Sequence, residues 1–222
     1  MYDQHADRFV VVALERVDSY PTQTSRILLA VSDDSDPNGN WYYHAIDSKT
    51  DIEGSLCWAD YPGFAVDEEA VYVTCNMYEF NYQPNQYGVR LWIVDKGLSG
   101  GFYTGNSATF TVHDPWIKAG GYNCTTQPAH IFGNPGPGVG TWLIAYSGIS
   151  WNPDEAVQII QVNNPVGSIS FVNFQWVNVG DIDNTGVTNL YDAPQLPASP
   201  SRDSIEVISL LLSEPLSSGS CT

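Results

Sequence analysis

Residues 63–112 contain four short runs of strand-forming residues, each separated from the next by turn-forming residues. The runs are Gly63–Asp67 (GFAVD), Ala70–Tyr78 (AVYVTCNMY), Val89–Lys96 (VRLWIVDK) and Ser107–Val112 (SATFTV). Each run is rich in β-branched or aromatic residues, and glycine, proline, asparagine or aspartate lies between the runs, which is typical of short strands joined by turns. The stretch therefore predicts a unit of four consecutive antiparallel strands.

The same order of strands returns on both sides of this unit. The C-terminal copy contains Ala129–Phe132, Gly140–Ser147, Ala156–Val162 and Ser168–Phe174. The N-terminal copy contains Arg8–Leu14, Arg26–Ser32 and Trp41–Ile46, and by this pattern it lacks only a first strand. Pro62 and Pro128 are expected just before the first strands of their copies, a position that tolerates a missing amide donor. The second strands begin near Phe9, Val71 and Thr141, so the repeat period is roughly 60 to 70 residues.

This periodicity predicts an all-β, β-propeller-like fold of about three to three and a half four-stranded blades. We divide the chain into an incomplete first blade (1–56), a second blade (57–122), a third blade (123–180) and a turn-rich connection with a partial fourth blade or closing strand (181–222). A single meander cannot cover both of its apolar faces, so blades stack face to face. Propellers contain about 4 to 8 blades. We therefore expect either flanking blades in a longer chain or a homodimer that completes the ring.

Three strings resemble the blades of uncharacterised secreted bacterial β-propeller-like repeat proteins. They are residues 2–11 (YDQHADRFVV), residues 30–41 (AVSDDSDPNGNW), and residues 60–67 (DYPGFAVD) with residues 72–76 (YVTCN), within a similarity that spans roughly residues 1 to 180. In that group, patterns of the type YD…A.RW, AVS…DP.G.W and DYP..GVD…Y.T.N recur. The resemblance implies an extracellular or cell-surface location in a bacterium, and it brings no catalytic motif with it.

The composition excludes several classes of partner. The chain has 25 Asp and Glu against 8 Lys and Arg, a formal net charge of −17, which disfavours nucleic acid and anionic lipid. Apolar runs stay far below the roughly 20 residues of a membrane span. The acidic surface suits cations or neutral ligands such as glycans. The cysteines, Cys57, Cys75, Cys124 and Cys221, allow three pairings, and buried free thiols are an alternative to a disulfide.

One loop resembles the first half of a calcium-binding loop. Its candidate ligands are Asp34, Asp36, Asn38 and Asn40, at alternating positions, with the glycine of the sharp turn at residue 39. Aspartate, proline, asparagine and glycine are equally the residues of a hairpin turn between two strands, which is the favoured interpretation. Residues 181–186 (DIDNTG) form a weaker version of the same pattern. Calcium is accordingly the candidate cofactor.

Two further groups of residues are candidates for ligand binding. The segment between the second and third strands of the central unit is long and aromatic, and it contains Tyr78, Phe80, Tyr82 and Tyr87. Aromatic faces stack on sugar rings and anchor protein partners. Asp60 and Asp67 flank the first strand and could act as a glycosidase pair with Glu68 and Glu69, although Asp67–Ala70 also fits a solvated turn.

Three functions follow from these residues. The first is a non-catalytic module that binds a glycan or a protein through its loops. The second is a glycoside hydrolase that uses the loop carboxylates. The third is a structural blade segment of a larger surface protein. The sequence favours binding over catalysis, since no nucleophile or phosphate-loop motif occurs in it.

Overall fold

The computed structural model describes residues 1–81, 85–115, 125–133, 135–136, 138–150 and 154–180. Its strands are β1 (Tyr2–Asp3), β2 (Arg8–Val17), β3 (Thr24–Ser32), β4 (Trp41–Asp47), β5 (Thr50–Ile52), β6 (Ser55–Val66), β7 (Ala70–Glu79), β8 (Gln86–Asp95), β9 (Thr109–His113), β10 (Thr126–Pro128), β11 (Val139–Ser150), β12 (Glu155–Asn163) and β13 (Ser170–Gly180). A short 3-10 helix at Phe102–Thr104 lies between β8 and β9.

The strands form three antiparallel sheets in chain order. Sheet 1 contains β1 to β4, sheet 2 contains β5 to β9, and sheet 3 contains β10 to β13, with each strand hydrogen-bonded to the next one along the chain. The predicted all-β class and its repeating meander of consecutive strands are therefore confirmed. Sheet 2 has a fifth strand, β5, which pairs with the start of β6 through Ile52 and Ser55.

The structure differs from the predictions for the first strands of the N-terminal and C-terminal copies. The N-terminal copy does have one: β1 pairs Tyr2 with Phe9 and Asp3 with Arg8, but two residues are too few to show an alternating pattern. In the C-terminal copy the prediction of a strand at Ala129–Phe132 was wrong, because β10 occupies Thr126–Pro128. The amide of Ala129 still donates to Trp142 O of β11 at 2.7 Å, and the amide of Ile131 then donates to Val66 O of sheet 2 at 3.4 Å.

A β-bulge in β6 explains the position of Pro62. The pairing of β6 with β7 is interrupted between Asp60 and Gly63, and Tyr61 has a positive φ of 52°. The sequence predicted that Pro62 precedes the strand, but it lies inside this bulge of β6. A bulge leaves a residue without a ladder partner, so the missing amide of proline costs no hydrogen bond there.

The central strand β7 contributes to two hydrophobic cores. Its residues are buried continuously from Ala70 to Met77. The odd-numbered residues from Val71 to Met77 belong to a core shared with sheet 1, whereas Ala70 and Tyr72 belong to a core shared with sheet 3. Successive side chains of a strand point to opposite faces. Sheet 2 therefore lies between sheets 1 and 3, which is why this strand is a nearly continuous apolar run.

The turns that follow the first strands of the three sheets meet at one end of the molecule. Gln4 Nε2 donates to Ile131 O at 2.7 Å, and His130 Nε2 donates to Gln4 Oε1 at 2.9 Å. Ile131 N donates to Val66 O, which brings in the corresponding turn of sheet 2. The turns after the first strands of sheets 1 and 3 thus touch directly, although about half of the chain separates them in sequence. We call residues 3–5, 66–67 and 130–131 the first-turn cluster.

Candidate functional site

A groove of about 390 Å³ opens between sheets 1 and 2 at the end opposite to the first-turn cluster. One wall comes from the end of β2 and the β2–β3 turn, and the other from the segment that follows β7. Its lining residues are Arg16, Asp18, Gln23, Phe80 and Asn81. Each wall belongs to the connection between the second and third strands of a repeat: β2 to β3 in the first repeat and β7 to β8 in the second. Equivalent connections of neighbouring repeats therefore form the groove.

Arg16 is held in the groove by two contacts. Its Nε donates to Asp18 Oδ1 at 2.5 Å, and its guanidinium carbon lies 3.5 Å from the centre of the Trp58 ring. Trp58 is itself fixed, since it is 8% exposed and its Nε1 donates to Glu79 O at 3.3 Å. A guanidinium has five N–H donors, so the bond to Asp18 leaves others for a ligand.

The apolar side of the groove belongs to an aromatic cluster. The Trp58 ring lies 6.5 Å from the Phe80 ring and 5.7 Å from the Tyr78 ring, measured between centroids. Phe80 also lies 5.8 Å from the guanidinium carbon of Arg16. Burial, and to a smaller extent the Asp60 charge, raises the pKa of the Tyr78 phenol, so this side chain is neutral. The groove thus combines one aromatic wall with guanidinium, carboxylate and amide groups.

The aromatic residues predicted for ligand binding have different places. Phe80 lines the groove, and Tyr78 packs behind it on Trp58. Tyr87 packs on the core shared by sheets 1 and 2, and its hydroxyl donates to Ser55 Oγ at 2.7 Å. Tyr82 lies outside the described residues. The structure therefore brings Phe80 and Tyr78 together and turns Tyr87 inward.

The predicted acidic residues lie away from this groove or inside the fold. Asp67 is 2% exposed, and its carboxylate accepts bonds from Glu69 N, Ala70 N and Tyr72 OH at 2.8, 2.7 and 2.5 Å. It closes the β6–β7 turn at the opposite end of β7 from Phe80, about 30 Å away at the rise of an extended strand. Asp60 is half-buried beside the β6 bulge.

Asp60 and Asp67 are also far from each other. Seven residues of extended strand separate them, which is roughly 20 Å. Paired carboxylates of glycosidases are about 5 to 9.5 Å apart. The strand therefore gives these two residues no common reaction centre.

The residues predicted to bind calcium form the β3–β4 turn. Asp34 Oδ1 accepts Asp36 N at 2.7 Å, and Asp36 Oδ1 accepts the backbone N and side-chain Nδ2 of Asn38, both at 2.9 Å. These bonds, the backbone one first, lower the pKa of Asp36. The neighbouring Asp33 accepts Asn40 N at 3.1 Å and Asn40 Nδ2 at 3.0 Å. The carboxylates thus make the contacts that a hairpin turn requires.

A metal centre remains a prediction for this chain. Among the residues that the structure describes, His, Cys, Asp and Glu side chains nowhere gather in a group of three or more that could hold an ion. The second calcium-like pattern, residues 181–186, lies outside the described ranges.

Two cysteines are placed by the structure. Cys57 and Cys75 are free thiols buried in the core between sheets 1 and 2. Burial, with a smaller contribution from Glu79, raises the pKa of Cys57 to about 11, and burial raises that of Cys75 as well. Cys124 and Cys221 lie outside the described residues.

The sequence reasoning missed half of the groove. It selected the aromatic segment after β7 and did not select Arg16, Asp18 or Gln23. A signal was available, because residues 17–24 join the second and third strands of the N-terminal copy, as residues 79–86 do in the central copy. Equivalent connections of stacked repeats lie at the same end, so these two could have been paired.

Comparisons with known proteins give no match. No protein-family model matches the chain, and neither the curated proteins nor the solved structures include a significant match. Within the described part of the chain, we find no helix with the length and hydropathy needed to cross a bilayer.

Proposed function

We propose that this chain is a β-propeller-like module of the bacterial cell surface or exterior that binds a neutral glycan in the groove between sheets 1 and 2. The propeller-like arrangement is supported by the three consecutive meanders, which stack in chain order with sheet 2 covered on both faces. It is also supported by the meeting of all three first turns at one end. In a radial array the first strands lie nearest the axis, so their ends converge.

The groove carries the proposal for binding. Sugar rings present an apolar face, which stacks on an aromatic side chain, and hydroxyls, which bond to planar polar groups. Phe80 supplies the aromatic surface, while Arg16, Asp18 and Gln23 supply donors and acceptors around it. The groove has a volume of about 390 Å³ and is open to solvent, so a sugar ring can enter it from the surface.

The charges of the groove favour a neutral ligand. Arg16 is paired with Asp18, whose side chain is 63% exposed, so the cation is compensated before any ligand binds. The chain as a whole has a formal charge of −17, which repels anionic glycans. A neutral oligosaccharide needs no free cation in the groove and is not repelled by the net negative charge of the chain.

A glycan array containing neutral and anionic oligosaccharides tests this function, followed by calorimetric titration of the best neutral ligand. We expect Phe80→Ala to weaken binding about 5- to 20-fold through lost stacking. Asp18→Ala should weaken it about 10- to 100-fold, since it removes an acceptor and the partner of Arg16.

Phe132→Ala is the matched control. Phe132 is 82% exposed and lies next to the first-turn cluster, at the other end of sheet 2. It should leave the glycan affinity unchanged. The proposal is wrong if the array yields no neutral ligand, or if Phe80→Ala and Phe132→Ala have equal effects.

A further inference from the structure

Sheet 1 leaves one of its faces uncovered. One face packs on sheet 2 through Val10, Ile27 and Val31. The alternation of the strands places Val11, Ala13, Leu28, Ala30, Tyr43 and Ala45 on the opposite face, in two rows across the sheet. Val11 is 48% exposed and Tyr43 is 77% exposed. The outermost sheet at the N-terminal side therefore has an apolar surface without a partner among the described residues.

Sheet 3 has the same property on its own outer side. Leu143 and Ile160 point to the core shared with sheet 2. The strand registers place Trp142, Ile144, Val157, Ile159, Val172 and Val177 on the opposite face, together with the amides Gln161 and Gln175. Ile144 is 39% exposed. Among the described residues, the stack of three sheets thus ends in a mostly apolar face on each side.

The two faces are related by the order of the stack. Sheet 1 packs on one face of sheet 2, and sheet 3 packs on the opposite face of sheet 2. The free face of sheet 3 is the one that would meet a following sheet, and the free face of sheet 1 is the one that would meet a preceding sheet. The free face of sheet 3 and the free face of sheet 1 can therefore form the kind of contact that already joins neighbouring sheets.

We propose that a second copy of this chain covers both faces, with sheet 3 of each copy packed on sheet 1 of the other. The contact repeats the relation already made twice within one chain. Two copies supply six sheets. If each sheet is one blade, this number lies in the range of about 4 to 8 blades that closed propellers contain. The two contacts are equivalent by a two-fold axis, and the assembly closes at two copies. This inference rests on the propeller-like arrangement proposed above, but not on glycan binding.

The distribution of charge is consistent with this contact. A formal charge of −17 opposes association of two copies in general. On the free face of sheet 1, however, the registers gather the charged residues Glu15, Arg26 and Asp47 at one end. Arg26 is already paired there with Glu15 at 2.9 Å. The rows containing Val11 and Ala13 are uncharged, so they can be buried without desolvating an ion.

Light scattering coupled to gel filtration on the full chain tests the proposal. We expect a mass of twice the 24.4 kDa of one chain. Val11→Glu and Ile144→Lys each place a charge on one of the two faces, and each variant alone should run at the mass of a single chain. Circular dichroism verifies that both variants remain folded. Leu98→Glu is the control, because Leu98 is 51% exposed in the turn after β8 and lies on neither face.

Mixing the two variants distinguishes the arrangement. In a mixed pair one contact has two unaltered faces and the other joins a carboxylate to an ammonium, so the doubled mass should return. A single-chain mass for the unaltered protein would overturn the proposal. Retention of the doubled mass by Ile144→Lys would overturn it in favour of two sheet 1 faces packed together. A mass above two chains would overturn the closed ring.

Discussion

The ammonium of Lys96 lies 2.6 Å from Oδ2 of Asp3, and both side chains are at most 1% exposed. The same carboxylate oxygen accepts the Tyr103 hydroxyl at 2.8 Å, and the ammonium also donates to Asp67 O. Asp3 belongs to β1, whereas Lys96 follows β8. Burial lowers the pKa of Lys96, and the bond to Asp3 opposes that shift. This ion pair thus ties the first strand of sheet 1 to sheet 2.

Replacing Lys96 by methionine should lower the free energy of unfolding by about 3 to 5 kcal/mol, since it leaves the Asp3 carboxylate buried without its cation. Urea denaturation followed by tryptophan fluorescence measures the loss. The double variant Lys96→Met/Asp3→Asn removes both charges and should recover part of the stability. If the double variant is no more stable than the single one, the buried charge is not the cause.

Gly63→Ala should destabilise the fold by about 1 to 3 kcal/mol through overpacking. A Cβ at this position would lie 2.4 Å from Gln127 Oε1 and 2.8 Å from Thr74 Oγ1, where β10 approaches the β6 bulge. Gly167→Ala is the matched control, because its Cβ would approach neighbouring atoms no closer than 4.0 Å. Thermal unfolding monitored by circular dichroism compares the two. Equal melting temperatures would show that the Gln127 and Thr74 side chains move aside and that the methyl group causes no overpacking.

The stability of the protein should fall as the pH drops below about 6.5, in part because of His130. Burial, followed by the His5 charge, lowers the pKa of His130. The unfolded chain therefore binds this proton more readily than the folded chain does. The stabilisation by neutral His130 is complete above the unfolded pKa and is lost as the pH falls through the folded pKa.

Urea midpoints measured from about pH 8 to about pH 5 test this dependence. His130→Gln retains a donor for Gln4 Oε1 but cannot take up a proton, so its midpoint should change less over this range. A variant whose pH profile coincides with that of the unaltered protein would exclude His130 as a contributor.

Cys57 and Cys75 should be unreactive towards Ellman's reagent in the folded protein. Both side chains are at most 1% exposed, and burial raises both pKa values, which keeps the thiols protonated. The variant Cys57→Ala/Cys75→Ala is the reference, since it retains Cys124 and Cys221. The unaltered protein and the variant should release equal colour when folded and should differ by two thiols in urea. A difference in the folded state would show that the core between sheets 1 and 2 opens.

Much of the fold was predictable from local patterns. The runs at Ala70–Tyr78 and Val89–Lys96 became β7 and β8 because their side chains alternate between two apolar cores. The turn predicted at Asp67–Ala70 is confirmed, but the prediction that its charges are solvated was wrong for Asp67, which is 2% exposed and caps the turn. The first strands were harder to predict, because β1 has two residues and β10 has three. Their positions depend on contacts with other sheets rather than on composition.

The sequence by itself determined the meander of consecutive strands that returns along the chain. Alternation and turn residues are local properties, and they can be recognised within a few residues of each other. Only the tertiary structure decided which residues share a site. Arg16 and Phe80 come from different repeats and meet because sheets 1 and 2 stack, while Asp67 and Phe80 belong to one repeat and are separated by the length of β7. Strand order fixes the repeat, but the packing of sheet on sheet fixes the groove.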